Sequence, residues 1–433
     1  MDDTAVMKVA PAGALIGELT VPGDKSISHR AVMVGSLCDE RVTVTGFGAS
    51  ADTLATVEAF RAMGVPIERR GEDGLVIEGV GMRGLRQPGG VIDVHNAGTL
   101  MRILPGILAG QSGTFTLDGD ESIRGRPMRR IADPLALMGV EVDTSDGLPP
   151  VTVHGGGMVE PIEYRPPVAS AQVKSCLLFA GLFAERGVTV IEEAIATRDH
   201  TERMLQRAGV PVDRRPGRVS ISPVRELVLP EIPVPGDFSS AAPFIAAATI
   251  LQGSNLTLRN ISINPTRTGL LVALERMGAR VGLFGRRWAA GEPVADIEVR
   301  PAELVATDIE PEMVPALIDE LPLLVLLASF ARGTTTIRGA GELRVKESDR
   351  IRTVVELMNL CGGHVTELED GFRVLGVPHR LRGGHVQAAG DHRIAMLGAI
   401  VGVCSQEGVS VEGAEALAVS FPDFADRLAS VSA

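Results

Sequence analysis

Lysine is nearly absent from this chain of 433 residues: of 42 cationic side chains, only Lys8, Lys25, Lys174 and Lys346 are ammonium groups. Arginine stands wherever a cation alone will serve, so each lysine marks a place that wants a compact point charge rather than a guanidinium fork. Aromatic residues are equally scarce, at 3% with one Trp and one Tyr. That excludes a stacking surface for single-stranded nucleic acid and leaves the core to Ala, Val, Leu and Ile. Positive charge is short as well, and the formal net charge is −12. Holding a nucleic-acid backbone or an anionic membrane takes a basic surface, so neither is expected as a partner, whereas a small anion needs only a local cluster of cations.

Cysteine is rare and scattered. Cys38, Cys176, Cys361 and Cys404 lie far apart in apolar stretches with no CxxC pair, the pattern of reduced thiols in a cytosolic protein rather than of a disulfide scaffold. The opening Met1-Asp2-Asp3-Thr4 lacks the cationic start and apolar run of a signal peptide. The longest apolar runs, such as residues 321–331, are too short to span a bilayer. A soluble cytoplasmic protein is expected, long enough for two large domains or three smaller ones.

Glycine, in contrast, is abundant, with 50 residues, and it marks a repeat. One unit recurs: a polar cluster opening an Ala/Leu-rich helix, a Gly-led strand, a second helix with a glycine stop, and a β-hairpin. The first copy comprises residues 24–38, 41–45 and 51–63, then strands at 65–70 and 75–78; the second, 96–109, 113–117 and 126–138; the third, 170–184, 187–191 and 199–208. The fourth comprises 237–251, 255–258 and 266–277, the fifth 319–330, 333–337 and 348–360, and a sixth opens with 391–404 and 409–411. Gly64, Gly139, Gly209, Gly278 and Gly362 read as left-handed helix stops. The sixth copy ends at residues 421–430 without a closing hairpin, and the N-terminal segment belongs to no copy, so the N-terminus is expected to return and complete the last unit. Two domains follow: residues 1–22 plus 237–433, discontinuous, and residues 23–236, inserted, with crossings at Pro- and Gly-rich turns.

Each copy's first helix begins with an unusual polar cluster: Gly23-Asp24-Lys25-Ser26-Ile27-Ser28-His29-Arg30, Asn96-Ala97-Gly98-Thr99, Ser170-Ala171-Gln172-Val173-Lys174, Gly236-Asp237-Phe238-Ser239, Asp319-Glu320-Leu321 and Gly390-Asp391-His392-Arg393. Ser, Asn and Asp are ordinary N-caps, but the added Lys, Arg and Gln are not needed for capping. A helix N-terminus favours an anion by ~0.3–1 kcal/mol. Symmetry that brings these ends to the face between the domains would make the interdomain cleft an anion trap. Lys346 lies in Arg344-Val345-Lys346-Glu347-Ser348-Asp349-Arg350, and Arg126 in a cluster that opens the second copy's second helix, with Pro127 in its first turn. Asp319 and Glu347 are carboxylates set among Lys346, Arg350 and Arg393, the arrangement wanted for proton transfer on a substrate held by cations. On spacing alone, a capping role for either acid stays open. No Ser-His-Asp order, Walker A loop or HExxH motif appears, and the eight histidines show no metal-ligand spacing, so no metal site is expected.

Together these segments resemble the 5-enolpyruvylshikimate-3-phosphate synthase family. The resemblance covers nearly the whole chain and rests on seven segments in the family's order: residues 22–30, Asn96-Ala97-Gly98-Thr99, Arg126-Pro127-Met128, Ser170-Ala171-Gln172, Thr197-Arg198-Asp199-His200, residues 344–350 and Asp391-His392-Arg393. It implies an α/β fold, a two-domain inside-out α/β barrel of six βαβαββ units, three per domain, with the active site in the interdomain cleft. The implied reaction transfers the enolpyruvyl group of phosphoenolpyruvate to the 5-hydroxyl of shikimate 3-phosphate by addition and elimination, on the route to chorismate and the aromatic amino acids, without metal or organic cofactor. By motif match, Lys25, Ser26, Arg30, Ser170, Ala171, Gln172, Arg198, Asp319 and Lys346 would hold shikimate 3-phosphate. Lys25, Asn96, Gly98, Arg126, Gln172, Arg350 and Arg393 would hold phosphoenolpyruvate. Asp319 would accept the 5-hydroxyl proton, Glu347 would exchange a proton with the methylene carbon, and Lys25 would join them as a catalytic group.

The resemblance has departures. Some members carry two serines before the glutamine, where Ala171 follows Ser170 here. Some carry a lysine before a terminal Thr-Phe-Pro-Asp, where this chain reads Ala418-Val419-Ser420-Phe421-Pro422-Asp423. Members with Ala in place of the glycine of Asn-Ala-Gly tend to exclude glyphosate, so Gly98 implies sensitivity to it as a competitive inhibitor. A monomer is expected. The related UDP-N-acetylglucosamine enolpyruvyl transferases share the six-unit plan but require a Lys-Asn pair near the N-terminus and a cysteine-bearing Gly-rich loop; here Ser26 follows Lys25, and no cysteine sits in such a loop. A non-catalytic binding protein on this fold is the other alternative, against which the joint presence of Lys25, Asp319, Glu347 and Arg393 argues.

Overall fold

Helices and strands alternate along the chain as the repeat requires. In the computed structural model, residues 5–184, 189–192 and 197–433 are described; Met1–Thr4 and the start of the segment at 187–191 lie outside the described residues. The polar clusters become helix starts. Asp24 caps Lys25–Leu37, accepting a hydrogen bond from the amide of Ile27, and Ser170, Asp237 and Asp391 likewise cap Ala171–Gly181, Phe238–Ile250 and His392–Cys404. The five stop glycines adopt φ between 79° and 95°, the left-handed conformation that ends a helix without a side-chain clash.

The chain divides into two units: unit 1 is Met1–Pro22, Gly236–Arg287 and Pro293–Ala433, and unit 2 is Gly23–Pro235 with Trp288–Glu292. Two details differ from the boundaries read in the sequence. Gly236 lies with unit 1 because its amide donates to the Asn260 carbonyl at 2.8 Å and its carbonyl accepts from Ser262 at 2.9 Å. Residues 288–292 lie with unit 2, where the Glu292 carboxylate meets the ring of His200 at 2.8 Å and the Gly291 carbonyl accepts from Arg203 at 3.0 Å.

Among the described residues, unit 2 holds three four-stranded sheets, one per copy. A short strand leaving each copy pairs in parallel with the first strand of the next: Ile92–Asp93 with Gly113–Asp118, and Glu163–Tyr164 with Thr189–Glu192. The third outgoing strand, Glu231–Pro233, pairs with Arg41–Thr45 of the first copy and closes the cycle. In unit 1 the N-terminal residues serve twice. Val6–Val9 runs antiparallel to Val409–Glu412 of the sixth copy, and Ile16–Leu19 runs parallel to Asn255–Ser262 of the fourth.

Each unit has its own core of Ala, Val, Leu and Ile. Three aromatics of unit 1 pack together: Phe244, Phe421 and Phe424 are fully buried with ring centroids 5.4–6.2 Å apart. Truncating one to Ala costs ~3–5 kcal/mol. In the second copy, the second helix begins at Arg129, three residues later than expected, and Pro127 precedes it. Asp120 starts a separate short turn, Glu121–Arg124, and the Met128 amide is tied to the Gly147 carbonyl at 2.7 Å, which holds residues 126–128 in the connection.

Candidate active-site residues of the two units

In unit 2 the expected residues converge through side-chain contacts. Gly23 precedes the first cluster at a place where two backbones nearly touch: a Cβ there would lie 1.8 Å from the Gly46 carbonyl oxygen, so no other residue fits. Lys25 and Ser26 follow at the start of Lys25–Leu37, half-buried, with the Lys25 ammonium 2.8 Å from Asp52. One turn on, Arg30 is buried and donates to the Ser26 carbonyl at 2.9 Å, the Thr201 hydroxyl at 2.6 Å and the Ser175 hydroxyl at 2.8 Å. Burial pushes its guanidinium down to about 10, against the attraction of Glu202 and Asp24. Among the described residues its three hydrogen bonds run to neutral oxygens, not to a carboxylate.

Ser170, Ala171 and Gln172 open Ala171–Gly181, half-buried, beside Gly98–Leu108. Gln172 accepts from Arg102 at 2.8 Å and donates to the Thr99 hydroxyl at 3.3 Å, next to Gly98. A Cβ on Gly98 would sit 2.6 Å from Nη1 of Arg126. Arg126 in turn donates to the Asn96 side-chain oxygen Oδ1 at 3.2 Å and the Ser122 hydroxyl at 3.1 Å. Arg198 is half-buried, just before His200–Arg207. Residues from all three copies of unit 2 are thus joined, with cations outnumbering the acids among them.

In unit 1 the acids and bases interleave. Asp319 is buried, in the turn before Leu321–Ser329 rather than at its cap. Its carboxylate lies 3.2 Å from Arg267, 3.4 Å from Arg393 and 3.7 Å from Arg350. Glu347 meets Nη2 of Arg350 at 2.5 Å and is likewise not the cap of the following helix; that is Asp349, which accepts from the Arg352 amide. Arg350 is almost wholly enclosed and also bonds Asp391 at 2.7 Å. Burial disfavours its charge, but Glu347, Asp391 and Asp319 raise its pKa and keep it protonated. Arg393 donates to the Asp319 carbonyl at 3.0 Å, and Lys346 is half-buried at the end of the 3₁₀ turn Gly341–Val345.

Three residues of this cluster have no role in the sequence reading: Glu320 and Asp391 appear there only within motifs, and Arg267 not at all. Glu320 is buried and accepts from the Ser239 hydroxyl; burial and then Asp319 push its carboxyl up, opposed by Arg267 and Arg393. Arg267 joins Asp237, Ser239 and Asp319. Asp391 was read only as part of a helix start; despite burial, Arg350 holds its carboxyl below the usual range. The signal available was the recurrence of acids at helix starts, but their partners in the cluster lie 28 to 81 residues away.

Among the described residues, one group brings potential metal-ligand atoms within 4.8 Å of one another: Glu141, Asp143 and His154. Glu141 and His154 are cross-strand partners, a juxtaposition that sequence spacing does not reveal, and the group is largely exposed. Among the described residues, no helix is long and apolar enough to cross a membrane.

Comparison with known proteins fixes first the class. The enolpyruvyl transferase NikO from Streptomyces tendae superposes with a TM-score of 0.77 over 98% of this chain and 97% of its own, at 18% identity. The fold is therefore the two-domain α/β enolpyruvyl transferase fold. An EPSP synthase from Acinetobacter baumannii superposes with a TM-score of 0.88 at 41% identity, over 99% of this chain and 98% of its own. Proteins named 3-phosphoshikimate 1-carboxyvinyltransferase from Halorhodospira halophila and Legionella pneumophila are 49% and 46% identical over 422 and 414 residues. These alignments cover 97% and 96% of this chain, and 95% of each relative. The sequence profile described as EPSP synthase (3-phosphoshikimate 1-carboxyvinyltransferase) matches residues 9–428. The chain belongs to the EPSP synthase family.

Proposed function

We propose that the two clusters divide the work of one transfer. The chain is a transferase of aromatic amino-acid biosynthesis: it moves the enolpyruvyl group of phosphoenolpyruvate to the 5-hydroxyl of shikimate 3-phosphate and releases phosphate. Both substrates are small anions. Unit 2 supplies most of the cations that hold them: Lys25, Ser26, Arg30, Ser170, Ala171, Gln172 and Arg198 take shikimate 3-phosphate. Asn96, Gly98 and Arg126 take phosphoenolpyruvate together with Lys25 and Gln172. Each charge-assisted bond contributes ~1.5–3 kcal/mol.

Unit 1 moves the protons. Asp319 accepts the 5-hydroxyl proton as the oxygen attacks C2 of phosphoenolpyruvate, and Glu347 delivers a proton to the methylene carbon. In the elimination, Glu347 takes a proton back from that carbon as the C–O bond to phosphate breaks, and the proton held by Asp319 leaves with the departing phosphate. Lys346 bridges the two substrates, and Arg393 and the Nη1 edge of Arg350 bind phosphoenolpyruvate. The observation that carries this reading is that one guanidinium, Arg350, lies 2.5 Å from Glu347 and 3.7 Å from Asp319. A proton donor and acceptor are thereby held beside one cation. The test is phosphate release from phosphoenolpyruvate: it should require shikimate 3-phosphate, and release that ignores that substrate would contradict the reading.

Glyphosate competes with phosphoenolpyruvate in this reading, since Gly98 leaves Arg126 unobstructed; inhibition that is non-competitive with phosphoenolpyruvate would refute it. The protein works in the cytoplasm as a monomer, which light scattering and cell fractionation check. Its four cysteines are buried and unbridged, and burial pushes the Cys38 and Cys361 thiols up to about 11 and Cys404 to about 12. This fits a compartment where thiols stay reduced.

A further inference from the structure

Lys174 is one of only four lysines, yet neither substrate is assigned to it. Its side chain is 3% exposed and its ammonium lies 2.7 Å from Glu202, which is 1% exposed. It also donates to the Thr197 carbonyl at 3.4 Å. Its neighbour Ser175 hydrogen-bonds Thr201 at 2.7 Å, and both hydroxyls accept from Arg30. Two adjacent residues of one helix are thus bonded to two adjacent residues of another.

A buried ion pair is a weak source of stability, because desolvation of both ions offsets their attraction and an apolar pair of similar volume serves as well. What such a pair supplies is a fixed geometry. Here the fixed elements are the helix that starts with Ser170 and Gln172, and the segment 197–202, which carries Arg198. Glu202 also lies close enough to Arg30 to favour its charged form.

We propose that Lys174 and Glu202 are positioning residues for shikimate 3-phosphate: the pair holds Thr197–Arg198 against the start of Ala171–Gly181, so that Arg198, Arg30 and Ser170 present one preformed cradle for the substrate's phosphate. A compact ammonium suits this place, since it bonds a carboxylate and a carbonyl in almost complete enclosure. The proposal rests on the assignment of Arg198 and Arg30 to shikimate 3-phosphate given above.

The test is a double-mutant cycle read by calorimetric titration of shikimate 3-phosphate, with KM for phosphoenolpyruvate and Tm measured alongside. Lys174→Met should weaken shikimate 3-phosphate binding at least tenfold and leave KM for phosphoenolpyruvate within twofold. In the Arg198→Ala background, the same substitution should change the affinity less than twofold, because the group it positions is gone. Lys174→Met/Glu202→Met, which leaves no lone buried charge, should keep Tm near that of the unaltered protein yet still bind weakly, and it carries the test if the single variant does not fold. Equal losses with and without Arg198, or a double variant that binds normally, would overturn the proposal alone. Normal binding by Arg198→Ala would overturn the assignment beneath it, and the proposal with it.

Discussion

Arg30 of unit 2 and Arg350 of unit 1 are both buried arginines near helix starts, and they are solvated in opposite ways. Arg30 is bonded by a carbonyl and two hydroxyls. Arg350 is bonded by Asp391 and Glu347, with Asp319 close by. Neutral oxygens leave a guanidinium's charge to meet an incoming anion. Carboxylates cancel that charge, and in return the guanidinium fixes where they sit. This contrast underlies the proposal that one unit holds the anions and the other moves the protons.

The sharpest way to break this division is through the acids. Asp319→Ala and Glu347→Ala should each lower kcat by about 10²–10⁴-fold, with only a modest loss of substrate binding, as removal of a general acid or base does. Near-normal turnover in either refutes its role. Next comes stability. Arg350→Met leaves Asp391 and Glu347 without their shared cation and should destabilise by roughly 3–5 kcal/mol. Arg30→Met strands only neutral hydrogen-bonding groups and should cost roughly 1–3 kcal/mol. Equal losses in chemical denaturation would erase the contrast.

A smaller effect is expected at Gly98→Ala, whose methyl group would displace Nη1 of Arg126. Losing about one hydrogen bond should raise KM for phosphoenolpyruvate about two- to tenfold, weaken glyphosate inhibition, and leave shikimate 3-phosphate binding unchanged. The smallest effect concerns pH. His29 of unit 2 is fully buried against Thr56, and burial, then Lys25 and Arg30, hold its ring well below the ordinary value of 6.5. The unfolded chain takes up this proton near pH 6.5 and the folded chain does not. Stability is therefore full above that pH and falls as pH drops below it. His29→Gln should flatten this part of the Tm profile; an unchanged slope would contradict it.

The sequence disclosed the repeat because its markers are local. A helix cap such as Asp24 and a stop such as Gly64 act within a few residues of themselves. The closure of unit 2 was not legible, since the strands that make it, such as Ile92–Asp93 and Glu231–Pro233, are two or three residues long and carry no alternation to read. The placement of Trp288–Glu292 in unit 2 was hidden for a different reason: Glu292 meets His200, 92 residues away. The same holds for the acidic cluster. Asp319 and Glu347 were visible through their flanking cations, while Glu320, Arg267 and the Lys174–Glu202 pair depend on contacts across 28 to 81 residues. Motif order carries which residues matter, and only the fold shows what holds each of them.

The most direct test of the division between the units is titration of shikimate 3-phosphate into the Glu347→Gln protein, with phosphate release assayed on the same sample. The account predicts a Kd within about threefold of the unaltered protein and release slowed by about 100-fold or more. A Kd weakened tenfold with release intact would contradict it.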